Sequence, residues 1–166
     1  MYEFYADQAR RYKSGANWFY WIAGLTLITS IITFGGGHWR FLISLGTTQV
    51  IDGIAAALSS ELGSAPQVIA LVLDVILTGI FVLFGVLANK KMLWAYILGM
   101  AAFFVDGLVS LLIQDLIGVV VHVVVLVFMV PGFMAGRKLV ELEKEMAAQA
   151  AAQAQAQAQA PAGTSI

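Results

Sequence analysis

Three ionisable side chains interrupt the long apolar stretches of this chain: Asp74, Asp106 and His122. Two carboxyls and an imidazole are the groups that relay protons or hold a cation inside a membrane. A charge in hydrocarbon costs ~2.5–3.5 kcal/mol even on the mild insertion scale, so three of them need a compensating role. Two roles fit the residue types. In the first, two neighbouring carboxylates cannot both ionise cheaply, one keeps a proton, and His122 completes a proton- or cation-handling site. In the second, one Asp stays neutral while the other pairs with a protonated imidazole as an interhelical clamp. Hydrogen bonds between transmembrane helices average only ~0.6 kcal/mol, so a clamp alone repays little of the burial. Both roles stay open on the sequence. No paired-ligand spacing supports a metal site, and the absence of cysteine removes thiolate ligands, disulfides and a Cys nucleophile.

Other chemistries lack their residues. No G-x-S-x-G occurs, and Gly35-Gly36-Gly37 has neither the Lys-Ser/Thr nor the preceding strand of a phosphate loop. Two aspartates without a flanking signature are poor support for intramembrane proteolysis. The expectation is a protein without enzymatic activity, catalytic residues or cofactor.

The elements that carry the trio follow from composition. Of 166 residues, 60% are apolar and 11% charged, against ~25% charged in an ordinary soluble domain. Mean hydropathy is +0.86. A soluble domain of this size has too much surface to hide so many apolar side chains. The net charge of −1 gives no pull toward nucleic acid. These values describe a small integral membrane protein whose first partner is the bilayer.

Four apolar runs are long enough to span: 18–34, 68–88, 92–113 and 116–136. A fifth, 41–58, contains Ser44, Thr48 and Asp52 at i, i+4 and i+8, one polar stripe that suits an interfacial or re-entrant helix. If it does not cross and the N-terminus is cytoplasmic, the inside holds Arg10, Arg11, Lys13, Lys90, Lys91, Arg137, Lys138 and Lys144, and the outside only Arg40. The positive-inside rule therefore favours four spans with both termini in the cytoplasm. Trp18, Phe19, Tyr20, Trp21, Trp39, Trp94 and Tyr96 fall near span ends, where aromatic rings anchor at the headgroups.

In that topology Asp74, Asp106 and His122 all lie ~9–10 Å below the outer surface, at 1.5 Å per residue. Asp52 and Asp115 lie above them. Each of the three also sits on its helix's stripe of small residues: Ala70, Asp74, Thr78 and Gly85; Ala95, Gly99, Ala102, Asp106 and Ser110; Gly118, His122, Met129, Gly132 and Gly136. Such stripes are where membrane helices pack. The trio is expected to converge in the bundle interior, with Thr26, Ser30 and Thr33 opposite. Pro131-Gly132 is a hinge candidate, since Pro removes a helical hydrogen bond and Gly loosens the turn.

Residues 1–16 read as a cytoplasmic amphipathic segment whose aromatics Tyr2, Phe4, Tyr5 and Tyr12 rest on the membrane. Residues 137–166 read as a cytoplasmic tail. It is helical through an Ala/Gln tract from 147 to 160, and Pro161 ends it. Phe104-x-Asp106-Gly107-Leu108, Gln114-Asp115-x-x-Gly118 and His122, with Trp18-Phe-Tyr-Trp-Ile-Ala-Gly24 and Thr48-Gln49-x-x-Asp52-Gly53, resemble a group of small bacterial multi-pass membrane proteins of unknown function. The similarity covers about residues 10–136. It implies a bacterial inner-membrane protein and carries no catalytic residue across.

The expected fold is all-α: an integral membrane four-helix bundle, an outer-side interfacial or re-entrant helix, and a cytoplasmic helical extension. The leading expectation for function is a scaffold or accessory subunit of a membrane assembly, bound to another membrane protein or to its own copies. The alternative is a proton- or cation-handling transporter or channel component. It would use Asp74, Asp106 and His122, supported by Asp52, Asp115, Thr26, Ser30, Thr33, Thr78 and Ser110.

Overall fold

The computed structural model describes residues 2–36 and 45–159. Ser44 and the start of the 41–58 run lie outside the described residues, as do His38, Trp39, Arg40 and Pro161. The described chain is all helical: α1 (Tyr2–Phe34), α2 (Gly46–Leu62), α3 (Ala65–Asn89), α4 (Leu93–Leu112) and α5 (Leu116–Gln159). Helices α1, α3, α4 and α5 are long and apolar enough to cross a membrane.

Short links make α2 and α3, α3 and α4, and α4 and α5 adjacent. Gly63 turns α2 into α3 at a φ of +68°, a left-handed conformation that glycine adopts without strain. Pro66 lies in the first turn of α3, where a missing N–H costs nothing. Asp115 starts α5, its Oδ1 accepting the Gly118 N–H at 3.0 Å.

Helix α1 packs chiefly against α3 and α5 and runs antiparallel to both. Against α5, the pairs are Tyr5 with Glu143, Tyr12 with Gly136, Gly15 with Gly132 and Trp18 with Phe128. Against α3, the Tyr12 hydroxyl donates to the Ala88 carbonyl and the Tyr20 ring lies over Gly85. The glycines are sockets. A Cβ on Gly15 would meet the Gly132 Cα at 2.8 Å, so the two backbones touch. Phe19 occupies the space that a side chain at Gly99 would need.

Three expectations take a specific form here. Residues 2–16 are continuous with the first span and pack against α5, burying Gln8, Tyr12 and Ala16. No proline separates the two segments, and the Gly15–Gly132 approach holds the N-terminal turns on α5. Phe19 and Tyr96, expected as interface anchors, are wholly buried. Tyr96 lies among Tyr12, Phe19 and Phe133, with its hydroxyl donating to the Met129 carbonyl at 2.9 Å. Pro131 lies inside α5 without ending it. Beyond the apolar stretch α5 stays helical: Leu139 is buried, and 147–159 is exposed throughout.

Candidate functional site

The trio divides into a pair and a single residue. Asp106 on α4 and His122 on α5 are buried and bonded, Oδ2 to Nε2, at 2.9 Å. The His122 Nδ1 lies 2.7 Å from the Gly118 carbonyl one turn back. A carbonyl oxygen only accepts, so Nδ1 carries a proton. The Nε2–Oδ2 bond holds one more. Whichever atom carries it, the pair has no net charge, which removes most of the cost of burying it. The Phe103 ring stacks on the imidazole at 4.3 Å between centroids.

Asp106 has a second task. The Gly46 N–H donates to its Oδ2 at 2.6 Å, and the Thr47 N–H and hydroxyl donate to its Oδ1 at 2.9 and 2.5 Å. The first N–H groups of a helix have no acceptor of their own. Here a carboxyl on another helix supplies it, where the α2 dipole is positive. Neighbouring bonds fix the same end: the Leu45 N–H donates to Thr26 Oγ1 at 3.2 Å, and the Thr48 hydroxyl to the Leu45 carbonyl at 2.8 Å. Gly46 has no room for a side chain, because its Cβ would collide with Ser110 Oγ. Asp115 joins from the α5 cap, accepting the Gln49 side-chain amide at 3.2 Å. Thus Thr26, Ser110 and Asp115 gather with Asp106 and His122 around the start of α2.

Asp74 stands apart from this cluster. Its side chain is 0% exposed, and the polar side chains that act on it are Ser30 on α1 and Asp52 on α2. Neither carboxyl oxygen of Asp74 has a hydrogen-bond partner among the described residues, and neither do Ser30 Oγ and Thr78 Oγ1. Thr78 lies one turn along the same buried face of α3. A small cleft lined by Ser30, Thr33, Asp52 and Gln67 adjoins the Asp74 neighbours, and Gln67 at its rim is exposed. Thr33 and Asp52 thus belong with Asp74 and not with His122.

The hinge candidates have a packing environment. Gly132 sits at the closest approach of α1 and α5, against the Gly15 Cα and the Tyr96 hydroxyl. Sequence reasoning missed Gly46 and Thr47 as partners of Asp106. The trace was present in Gly46-Thr47-Thr48, whose hydroxyl residues are typical of a helix start. Among the described residues, no group of three His, Cys, Asp or Glu side chains could hold a metal ion.

Compared with family models, curated proteins and solved structures, the chain matches none. Four long apolar helices indicate an integral, multi-pass membrane protein, with no family identified.

Proposed function

We propose that the protein handles a proton or a monovalent cation at Asp74, as a non-enzymatic component of a bacterial inner membrane. One observation carries the reading: Asp74 is a fully buried carboxyl whose oxygens have no hydrogen-bond partner among the described residues, and its neighbours Ser30 and Asp52 line a small cleft. Asp106 and His122 have their bonds filled and act as the anchor of α2. An unsatisfied carboxyl in a membrane interior is retained for function more readily than for stability.

The topology that goes with it has four spans, both termini cytoplasmic, and α2 re-entrant from the outer side. Leu45 is bonded to Thr26, eight residues before Phe34 at the end of α1, so α2 begins ~12 Å inside that end. Backbone that starts a helix at such depth is tolerated only where its N–H groups are satisfied by protein, and Asp106 supplies that satisfaction. A single four-helix chain offers little room for a gated path, so the working form is a homo-oligomer.

Flux in proteoliposomes tests the reading. The wild-type protein should dissipate an imposed pH or cation gradient, and Asp74→Asn should abolish this while the protein remains folded. Unchanged flux in Asp74→Asn rejects it. The accessory-subunit reading keeps one supporting observation, the exposed helix 147–159 beyond the bundle. Purification in mild detergent with intact-complex mass spectrometry tests that reading. A stoichiometric different protein supports it, and a bare homo-oligomer removes it.

A further inference from the structure

The unsatisfied groups near Asp74 are all oxygens. They are both carboxyl oxygens of Asp74, Ser30 Oγ and Thr78 Oγ1. Their residues are 0%, 2% and 6% exposed. They come from two helices, and Asp52 adds a third, α2, at the side of the cleft. Buried polar atoms in native proteins are nearly always paired, so several unpaired ones on and one helical turn from one carboxyl require an account.

A proton on Asp74 makes one donor–acceptor pair, with Ser30 or Asp52, and leaves the remaining oxygens without one. A cation can draw carboxyl and hydroxyl oxygens together, because both are hard donors. Charge selects the cation. Asp74 supplies one fully buried negative charge, while Asp52 is only half-buried and has an interaction of its own. Among the described residues no group of three acidic, His or Cys side chains is present to balance a divalent charge. Among the described residues, no Lys, Arg or His is among the groups that act on Asp74.

We propose that Asp74, Ser30 and Thr78 form a binding site for an alkali-metal cation, with Asp52 beside it and the cleft at Thr33 and Gln67 as its entrance. The inference rests on the ion-handling reading above and narrows what that site takes. The first helix contributes through Ser30 and the re-entrant helix through Asp52, so the bound ion ties α1, α2 and α3 together.

Thermal unfolding of the purified full-length protein in nanodiscs tests it, with choline chloride replaced stepwise by NaCl or KCl at constant ionic strength. The expected result is a saturable rise in Tm with at least one of the two cations. The rise should be absent in Asp74→Asn and shifted to higher concentration in Ser30→Ala and Thr78→Val. The last two substitutions leave the carboxyl in place and cover the case in which Asp74→Asn fails to fold. Equal Tm values in choline, sodium and potassium overturn the site, and so does an undiminished rise in all three variants. If Asp74-dependent proton flux persists while no alkali cation moves Tm, the cation site is wrong and the ion-handling reading stands. If both are absent, both fail.

Discussion

Asp106 and Gly46 are 60 residues apart in sequence and 2.6 Å apart in space, the carboxyl of one helix accepting the first N–H of another. That bond accounts for how α2 can begin inside the bundle. Thr47 adds two donors to the same carboxyl and His122 adds its ring. Removing one member of such a buried, charge-compensated set costs ~3–5 kcal/mol, because the remaining groups are left unpaired. Asp106→Ala should therefore lower stability by that order, and Thr47→Ala by ~1 kcal/mol. Denaturant titration in mixed micelles measures both. A double-mutant cycle between positions 106 and 122 should return a clear coupling, and additivity would mean that the pair is not a unit.

The glycine sockets predict intolerance to small additions. A methyl at position 15 meets the Gly132 backbone, which cannot retreat as a flexible side chain does. Gly15→Ala and Gly132→Ala should each cost ~1–3 kcal/mol by overpacking. Tyr96→Phe removes only the bond to the Met129 carbonyl and should cost ~0.5–1.5 kcal/mol. Tm values of the three variants check the order, and a neutral Gly15→Ala would contradict the close approach of α1 and α5.

A pH dependence follows from the stalk where α1 and α5 extend beyond the apolar stretch. Lys91 bonds to Glu143, and the Tyr5 hydroxyl donates to the same carboxyl at 2.5 Å. The bond from Lys91, then that from Tyr5, holds the Glu143 carboxyl below its usual 4.5. Bonds to Glu143 and Tyr5 hold the Lys91 ammonium above its usual 10.5. Glu143 thus contributes stability that is present above 4.5 and lost as pH falls below it. Lys91 contributes stability present below 10.5 and lost as pH rises past it. Both side chains are partly exposed, so the effect is small. The Tm difference between wild type and Glu143→Gln should be flat between about pH 5 and 10 and shrink outside that window. A difference that grows on acidification would show the pair wrongly assigned.

Topology gives a separate prediction. A reporter placed at Gly63-Ser64, between α2 and α3, should be extracytoplasmic, while one after Gln159 should be cytoplasmic. Both reporters on one side would reject three crossings by α3, α4 and α5, and a cytoplasmic reporter at Gly63-Ser64 would reject a re-entrant α2 behind a cytoplasmic N-terminus.

Much of the architecture was legible from apolar periodicity. The runs at 68–88 and 92–113 correspond to α3 and α4 within a few residues, because a lipid-facing helix has little freedom in composition. The small-residue faces carrying Asp74, Asp106 and His122 are the buried faces. What periodicity could not give was partner choice. Depth along a helix puts all three side chains in one layer, but the neighbour of each depends on rotation about the bundle and on what is inserted between helices. The start of α2 fills the space beside Asp106, while Asp74 faces Ser30 and Asp52 instead. The N-terminal segment shows the same limit. Its aromatics suit a membrane surface equally well, and only the Gly15–Gly132 approach commits them to α5.

The division of labour between Asp106 and Asp74 is the centre of this account, and one comparison tests it directly: ion flux and Tm measured side by side for Asp74→Asn and Asp106→Asn in the same proteoliposomes. The account predicts that Asp74→Asn loses flux with Tm preserved or raised in cation-free buffer, while Asp106→Asn loses Tm. Full flux in Asp74→Asn, together with an unchanged Tm in Asp106→Asn, would contradict it.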